Sequence, residues 1–186
     1  MTQTFRVVAV CTGNVCRSPM FERLLQVRLA GFADAFDISS AGTRALEGAP
    51  MDAAAAAELR RLGGDPAGFV ARQLQENHLD RADLVLTATL SHRSKVLRIA
   101  PQLLHKTFTV PELASLLPDA QGDTLQGLVK DAARRRGTSD LETSEDFSIR
   151  DPYQGPAELH AEVADEIALA VDRILEAFAP VIDAQR

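Results

Sequence analysis

The sequence predicts an α/β fold: an open, doubly wound sheet with helices on both faces. Three observations predict it. Short apolar runs bounded by turn residues recur along the chain, stretches with helical spacing separate them, and the first run ends in a Gly-Asn turn that leads straight into a helix start. Strands that alternate with helices form parallel βαβ units, which build a sheet covered on both sides.

The elements follow in order. Phe5–Val10 is a buried strand, bounded by the Gly13-Asn14 turn signal. Ser18 and Pro19 start a helix, with serine at or near the N-cap and proline in the first turn. Phe21, Leu24, Leu25, Arg28 and Leu29 continue at helical spacing until Gly31. Phe36–Ala41 is a second strand, stopped by Gly42. Asp52 caps an alanine-rich helix that runs through Leu59 and Leu62 and closes at Gly63-Gly64. Leu84–Ala88 is the third strand. Ser91 opens a helix that must end before Pro101. Lys106–Val110 is a shorter fourth strand. Residues 111–150 break the rhythm. They hold Pro111, Pro118 and a helical stretch with Leu125, Leu128, Val129 and Ala132, which runs into Arg134-Arg135-Arg136-Gly137. Arg134–Arg136 reads as a solvated helix end, with attraction of an acidic phosphoprotein as the alternative. Residues 138–146 are polar and acidic and read as a mobile loop. A last helix begins near Pro156, with Leu159, Val163, Ile167, Ala170, Ile174 and Phe178 on one face.

A length of 186 residues suits one domain, residues 1–186, able to bury a core without disulfide staples. A net charge of −6 argues against nucleic acid as the partner. No apolar run reaches the ~18 residues of a membrane span, and no signal peptide is visible. Cys11 and Cys16 lie too close together to staple a fold, which reads as thiols in a reducing cytoplasm.

The segment Cys11-Thr12-Gly13-Asn14-Val15-Cys16-Arg17-Ser18 carries the chemistry. Backbone N–H groups from Thr12 to Arg17 can converge on one point as an anion nest, and the following helix adds the positive end of its dipole. That setting favours a thiolate at Cys11, the form of cysteine that attacks. Arg17 offers a planar fork for two phosphate oxygens. Gly13 permits positive φ and close backbone approach, and Asn14 tolerates a left-handed conformation while tying the loop together. Ser18 can donate to the Cys11 sulfur and help it leave. The blander reading is a buried cysteine in a βα turn with an exposed arginine.

Thiolate attack on a phosphate ester expels an alkoxide or phenoxide, so a proton donor is needed. Asp151-Pro152-Tyr153-Gln154-Gly155 sets one carboxylate in special surroundings, although on pattern alone the same run reads more readily as a helix-entry turn with aspartate as its N-terminal punctuation. Tyr153, the only tyrosine, either stacks on a substrate ring or packs on the domain. His78, His92, His105 and His160 show no metal-ligand spacing and read as surface or structural residues.

Together these residues resemble the low-molecular-weight protein-tyrosine phosphatases. The resemblance rests on Cys11–Ser18 with Pro19, Ser40-Ala41-Gly42-Thr43, Gly48-Ala49-Pro50-Met51-Asp52, Ala82-Asp83-Leu84-Val85-Leu86 and Asp151-Pro152-Tyr153, spread over nearly the whole chain in the family's order. It implies a four-stranded parallel sheet of the phosphotyrosine phosphatase I-like type, with no metal and no cofactor. It implies Cys11 as nucleophile, Arg17 as phosphate clamp and Asp151 as general acid and later base. Thr12, Gly13, Asn14, Val15, Cys16, Ser18 and Tyr153 would bind or support the substrate. A reversible Cys11–Cys16 disulfide that shields the nucleophile is also implied, beside the reading of Cys16 as a small buried loop residue. The partners implied are a phosphotyrosyl protein, with a bacterial tyrosine kinase as a candidate, and phosphate or vanadate as inhibitors.

Three departures from the family pattern refine this. Ala45 stands where eukaryotic members place an aromatic wall, and Ala45-Leu46 is aliphatic as in bacterial members. Residues 111–150 are longer than the family usually shows. Val15 matches tyrosine-directed members, whereas phosphoarginine-directed members carry threonine, and valine lacks that hydroxyl. Two other activities compete with phosphotyrosine hydrolysis: phosphoarginine hydrolysis, and arsenate reduction with a small thiol on the same scaffold. A non-catalytic phosphopeptide-binding module is a third possibility.

Overall fold

The computed structural model describes residues 4–136 and 147–184. Four parallel strands, β1 (Phe5–Cys11), β2 (Phe36–Gly42), β3 (Leu84–Thr87) and β4 (Thr107–Thr109), form one sheet in the order β2-β1-β3-β4. The order reverses at β1, so the loops after β1 and β3 leave the same end of the sheet in opposite directions. In open α/β sheets the crevice at such a switch point is where ligands bind.

Side chains alternate across a strand, so β1 feeds two cores. Phe5, Val7 and Ala9 face the helices α1 (Arg17–Arg28), α2 (Ala53–Arg61), α5 (Val110–Leu116), α6 (Leu125–Arg135) and α7 (Ala157–Asp183). Val8 and Val10 face the other side, where Leu79 of α3 (Glu76–Leu79) and Val96 of α4 (Leu90–Ile99) close a smaller core. The sheet is therefore doubly wound. The predicted face of α7 is the buried one: Val163, Ile167, Ala170, Ile174 and Phe178 all lie in the larger core. Phe178 meets Phe5 edge-on at 6.0 Å between ring centroids, and Phe5 meets Phe36 in the same way.

Several boundaries differ from the sequence reading. The first helix begins at Arg17, and Ser18 does not cap it. Thr89 caps α4 through its side chain, one residue ahead of a helix start at Leu90 rather than Ser91. The fourth strand ends at Thr109, because Val110 and Pro111 already belong to α5. Thr109 and Glu112 form a reciprocal capping box there. Arg136 is not a solvated helix end. Its guanidinium lies 2.6 Å from Glu112 Oε1, donates to the Thr107 carbonyl at 2.8 Å and stacks 4.3 Å over Phe108. Of its neighbours, Arg135 pairs with Asp131 and Arg134 is exposed. The loop expected at 138–146 lies outside the described residues.

Candidate active site

The segment between β1 and α1 is held by its carbonyls. Cys11 O accepts from Thr43 N, Thr12 O from Arg44 N, Gly13 O from Leu46 N and Val15 O from Asp52 N, each at 2.9 Å. The described residues contain no cis peptide. In a trans peptide the next N–H points opposite to the carbonyl, so anchoring these oxygens on the 43–52 segment turns the following N–H groups to the other side. The cavity is lined by the same loop residues. The loop thus presents donors at the N-terminus of α1, the setting in which backbone amides and the helix dipole hold an anion.

Two residues make this curl sterically possible. The left-handed conformation falls on Asn14, at φ 56°, and not on Gly13, whose φ is not positive. The glycine that close approach requires is Gly42 at the end of β2. A Cβ there would stand 2.5 Å from the Thr12 carbonyl oxygen.

Behind the loop runs a buried chain of hydrogen bonds. Asn14 Oδ1 accepts from Arg72 N at 2.9 Å, which fixes the orientation of its amide. Its two Nδ2 hydrogens then go to Ser18 Oγ at 2.9 Å and Ser40 Oγ at 2.8 Å. Ser40 passes its own hydrogen to Glu22 Oε2 at 2.6 Å. Ser18, already accepting from Asn14, is left to donate its hydrogen to Cys11 Sγ at 3.0 Å. A donated hydroxyl stabilises a thiolate in preference to a thiol. Glu22 is buried in the first turns of α1, and that burial raises its pKa against the Ser40 hydrogen bond, which lowers it.

The two cysteines differ. Burial pushes the Cys16 thiol far up, with Asp52 adding to the effect, so Cys16 stays protonated. Cys11, at the strand end and facing Ser18, is the residue placed to attack. Both are free cysteines.

Across the cavity, Arg17 Nη2 lies 2.6 Å from Asp151 Oδ2, and Nη1 donates to the Ile149 carbonyl at 3.1 Å. Ile149 N donates in turn to the Ala88 carbonyl, just past the end of β3. The 147–151 segment is therefore tied to the sheet and the clamp together. Arg17 is buried, whereas Asp151 is 51% exposed and open to a leaving group. A turn holds the aspartate, since Tyr153 N donates to Asp151 Oδ1 at 3.2 Å. The cavity, about 230 Å³, is lined by the loop residues Cys11, Thr12, Gly13, Val15, Cys16 and Arg17, with Arg44, Leu46, Asp151 and Tyr153 at its rim. It has the parts for nucleophilic displacement at a tetrahedral oxyanion centre: a thiol, a nest with a guanidinium, and a carboxyl group.

The family profile described as low molecular weight phosphotyrosine protein phosphatase matches residues 6–126. The chain belongs to this family of phosphoric monoester hydrolases. It is 31% identical over 173 residues to a protein-arginine-phosphatase of Geobacillus stearothermophilus, spanning 92% of this chain and 95% of that one. It is 39% identical over 101 residues to the low molecular weight protein-tyrosine-phosphatase Etp of Escherichia coli K12, spanning 54% of this chain and 66% of that one. Among solved structures it is similar to the low molecular weight protein tyrosine phosphatase of T. tengcongensis, at 29% identity and a TM-score of 0.71, covering 93% of this chain and 99% of that one.

Around this candidate site most predicted residues come together, with Asn14 and Ser18 as the loop supports they were expected to be and with the wall residue displaced. Asn14 and Ser18 are fully buried behind the loop and do not line the cavity; they serve as its supports. The wall expected at Ala45 is formed by Leu46, because Leu46 N is pinned to Gly13 O while Ala45 N is drawn off to the Gln73 side chain. Arg44 at the rim was missed, and so was Glu22. Neither carried a local signal beyond lying near a strand end or a helix start. His92, a surface or structural residue by its sequence context, is buried and sits 2.8 Å from Thr12 Oγ1. Among the described residues no group of three or more His, Cys, Asp or Glu is placed to hold a metal ion.

Proposed function

We propose that this phosphatase hydrolyses phosphotyrosyl proteins through a phosphocysteine intermediate. The Cys11 thiolate attacks phosphorus as the bond to the phenolic oxygen breaks. Protonated Asp151 gives its proton to that oxygen. The resulting carboxylate then takes a proton from water as the water attacks phosphorus, and the S–P bond breaks with Ser18 donating to the departing sulfur. Arg17 and the loop amides hold the three equatorial oxygens throughout. Thr12, Gly13, Val15 and Cys16 supply the cradle, Asn14 and Ser18 its support, and Tyr153 with Leu46 the walls for an aromatic ring. The observation that carries this reading is the 2.6 Å approach of Asp151 to Arg17 at the cavity that holds Cys11.

Rapid quenching of Asp151→Ala with p-nitrophenyl phosphate, followed by mass analysis, tests it. Phosphoryl on Cys11 is the expected result, because loss of the base slows the second step. Absence of any covalent phosphoryl overturns the mechanism.

Phosphoarginine is the second reading, favoured by the likeness to the Geobacillus stearothermophilus arginine phosphatase along nearly the whole chain. Val15 weighs against it, since this buried cavity residue carries no hydroxyl to offer a guanidinium. Parallel kinetics on phosphotyrosyl and phosphoarginyl peptides decide between the two. A bacterial tyrosine kinase is the protein substrate we favour, and phosphate or vanadate the competing ligands. A cytoplasmic location suits two free thiols at one site, and no helix among the described residues is long and apolar enough to cross a membrane. We read residues 1–186 as one phosphatase domain, because α6 and α7 pack on the core that covers β1, with 111–150 as an enlarged segment of it.

A further inference from the structure

Thr12 follows the nucleophile and lines the cavity, yet its hydroxyl is engaged from behind. Thr12 Oγ1 lies 2.8 Å from His92 Nε2, and His92 Nδ1 lies 2.8 Å from Thr89 Oγ1. Thr89 is the N-cap of α4, and its Oγ1 also accepts the His92 backbone N–H at 3.3 Å. The imidazole is 4% exposed and bridges the two hydroxyls.

A neutral imidazole carries one hydrogen, so the chain Thr89–His92–Thr12 has two self-consistent directions. In one, Nδ1–H donates to Thr89 and the Thr12 hydroxyl donates back to Nε2. The cavity then meets only the lone pairs of Thr12. In the other, the Thr89 hydroxyl donates to Nδ1 and Nε2–H donates to Thr12. The Thr12 hydrogen is then free to point into the cavity. An oxyanion in the loop accepts hydrogen bonds and repels lone pairs, so it selects the second direction.

We propose that His92 is a positioning residue that turns the Thr12 hydroxyl into an additional donor to the bound phosphoryl group, and that oxyanion binding sets its Nε2–H tautomer. This rests on the reading that the loop holds a phosphoryl group. Burial and the nearby charge of Arg17 agree with it, because both push His92 down to about 4 and keep it neutral at working pH. A hydrogen bond to a charged acceptor is among the stronger ones. Its loss lowers phosphate affinity by about tenfold.

The test combines spectroscopy and a mutant cycle. Nitrogen-15 NMR of the His92 ring in the wild-type protein is recorded with and without inorganic phosphate. The Nε2–H pattern with phosphate is expected, and an Nδ1–H pattern with phosphate bound overturns the proposal. Inhibition constants for phosphate and kcat and KM for p-nitrophenyl phosphate are then measured for Thr12→Val, His92→Phe, the double variant and His92→Gln. The two single variants are expected to weaken phosphate binding by the same factor, the double by no more, and His92→Gln to recover most of it through its side-chain amide. Unchanged phosphate inhibition in Thr12→Val, or additive losses in the double variant, overturns the relay. If His92→Phe fails to fold, the glutamine variant and the wild-type spectra still decide. A wild-type protein that neither binds phosphate nor hydrolyses the ester refutes the phosphatase reading itself; one that does both while these variants change nothing refutes the relay alone.

Discussion

Arg17 Nη2 stands 2.6 Å from Asp151 Oδ2, so the residues we propose as phosphate clamp and proton donor are already in contact. A dianionic phosphoryl group competes with the carboxylate for the same guanidinium. On the proposed mechanism, substrate binding should loosen Asp151 from Arg17 as the leaving oxygen comes to need its proton. Asp151→Ala is expected to slow hydrolysis of phosphotyrosine by roughly 10²–10⁴-fold, the range for loss of a general acid. The loss should shrink for p-nitrophenyl phosphate, whose leaving group needs no proton. Equal losses across a series of phenols of differing pKa would argue against the assignment.

Cys11→Ser is expected to abolish turnover while phosphate and vanadate still bind, since the nest and Arg17 are untouched. Steady-state kinetics and isothermal titration check the two halves. Substantial residual turnover removes Cys11 as the nucleophile. Cys16→Ser, by contrast, should leave the first chemical step in place, because the Cys16 thiol is held protonated by burial.

Asn14 makes three side-chain hydrogen bonds, two of them buried and one partly so, from a left-handed backbone, which alanine adopts at a cost. Asn14→Ala should lower stability by about 3 kcal/mol, given ~1 kcal/mol per net hydrogen bond. It should also lower kcat, because Ser18 loses the partner that sets the direction of its hydrogen. Denaturant unfolding and kcat on the same preparation test both effects. A stable variant with normal kcat would show that the network is not needed.

Val15→Thr adds a hydroxyl to a buried wall of the cavity. The ratio of phosphoarginine to phosphotyrosine turnover should rise by about tenfold, since a matched polar contact discriminates strongly between substrates. Competition between two labelled peptides measures it, and an unchanged ratio counts against Val15 as a determinant.

The pH dependence of stability has a definite sign at His92. Its pKa is depressed, by burial first and by Arg17 and Lys95 next, with Asp151 opposing, to about 4 from an ordinary value of 6.5. Between those two values the unfolded chain binds the proton and the folded chain does not, so folding is disfavoured progressively as pH falls. The full contribution is present above pH 6.5 and is lost as pH falls through 4. Thermal midpoints should drop across that window more steeply for wild type than for His92→Gln. Parallel curves would mean that His92 does not control the slope.

The sheet and the long last helix were legible because their signals are local. β1 and β3 are largely apolar runs, β2 is a shorter mixed run that stops at Gly42, and α7 shows its buried stripe in the sequence itself. The start of α5 was not read, although Thr109-Val110-Pro111-Glu112 carries a capping-box pattern with proline in the first turn, because Val110 also extends the apolar run of β4. The loop Cys11–Ser18 was legible as an anion cradle, since glycine, asparagine, arginine and a helix start are neighbours in the chain. Its internal geometry was not. Asn14 rather than Gly13 takes the positive φ, and Gly42 supplies the space, because the decisive contact comes from β2 across the sheet.

By itself, then, the sequence determined the strands, their alternation with helices and the Cys11–Arg17 pattern on which the proposed nucleophile and clamp rest, all of which follow from residue types and spacings within a few turns of backbone. Tertiary structure alone decided that Asp151 meets Arg17, that Leu46 and not Ala45 walls the cavity, and that His92 and Glu22 stand behind the loop. Those pairings join residues far apart in the chain. They depend on where parallel crossovers return each strand end, and a single chain's spacing holds no record of that distance.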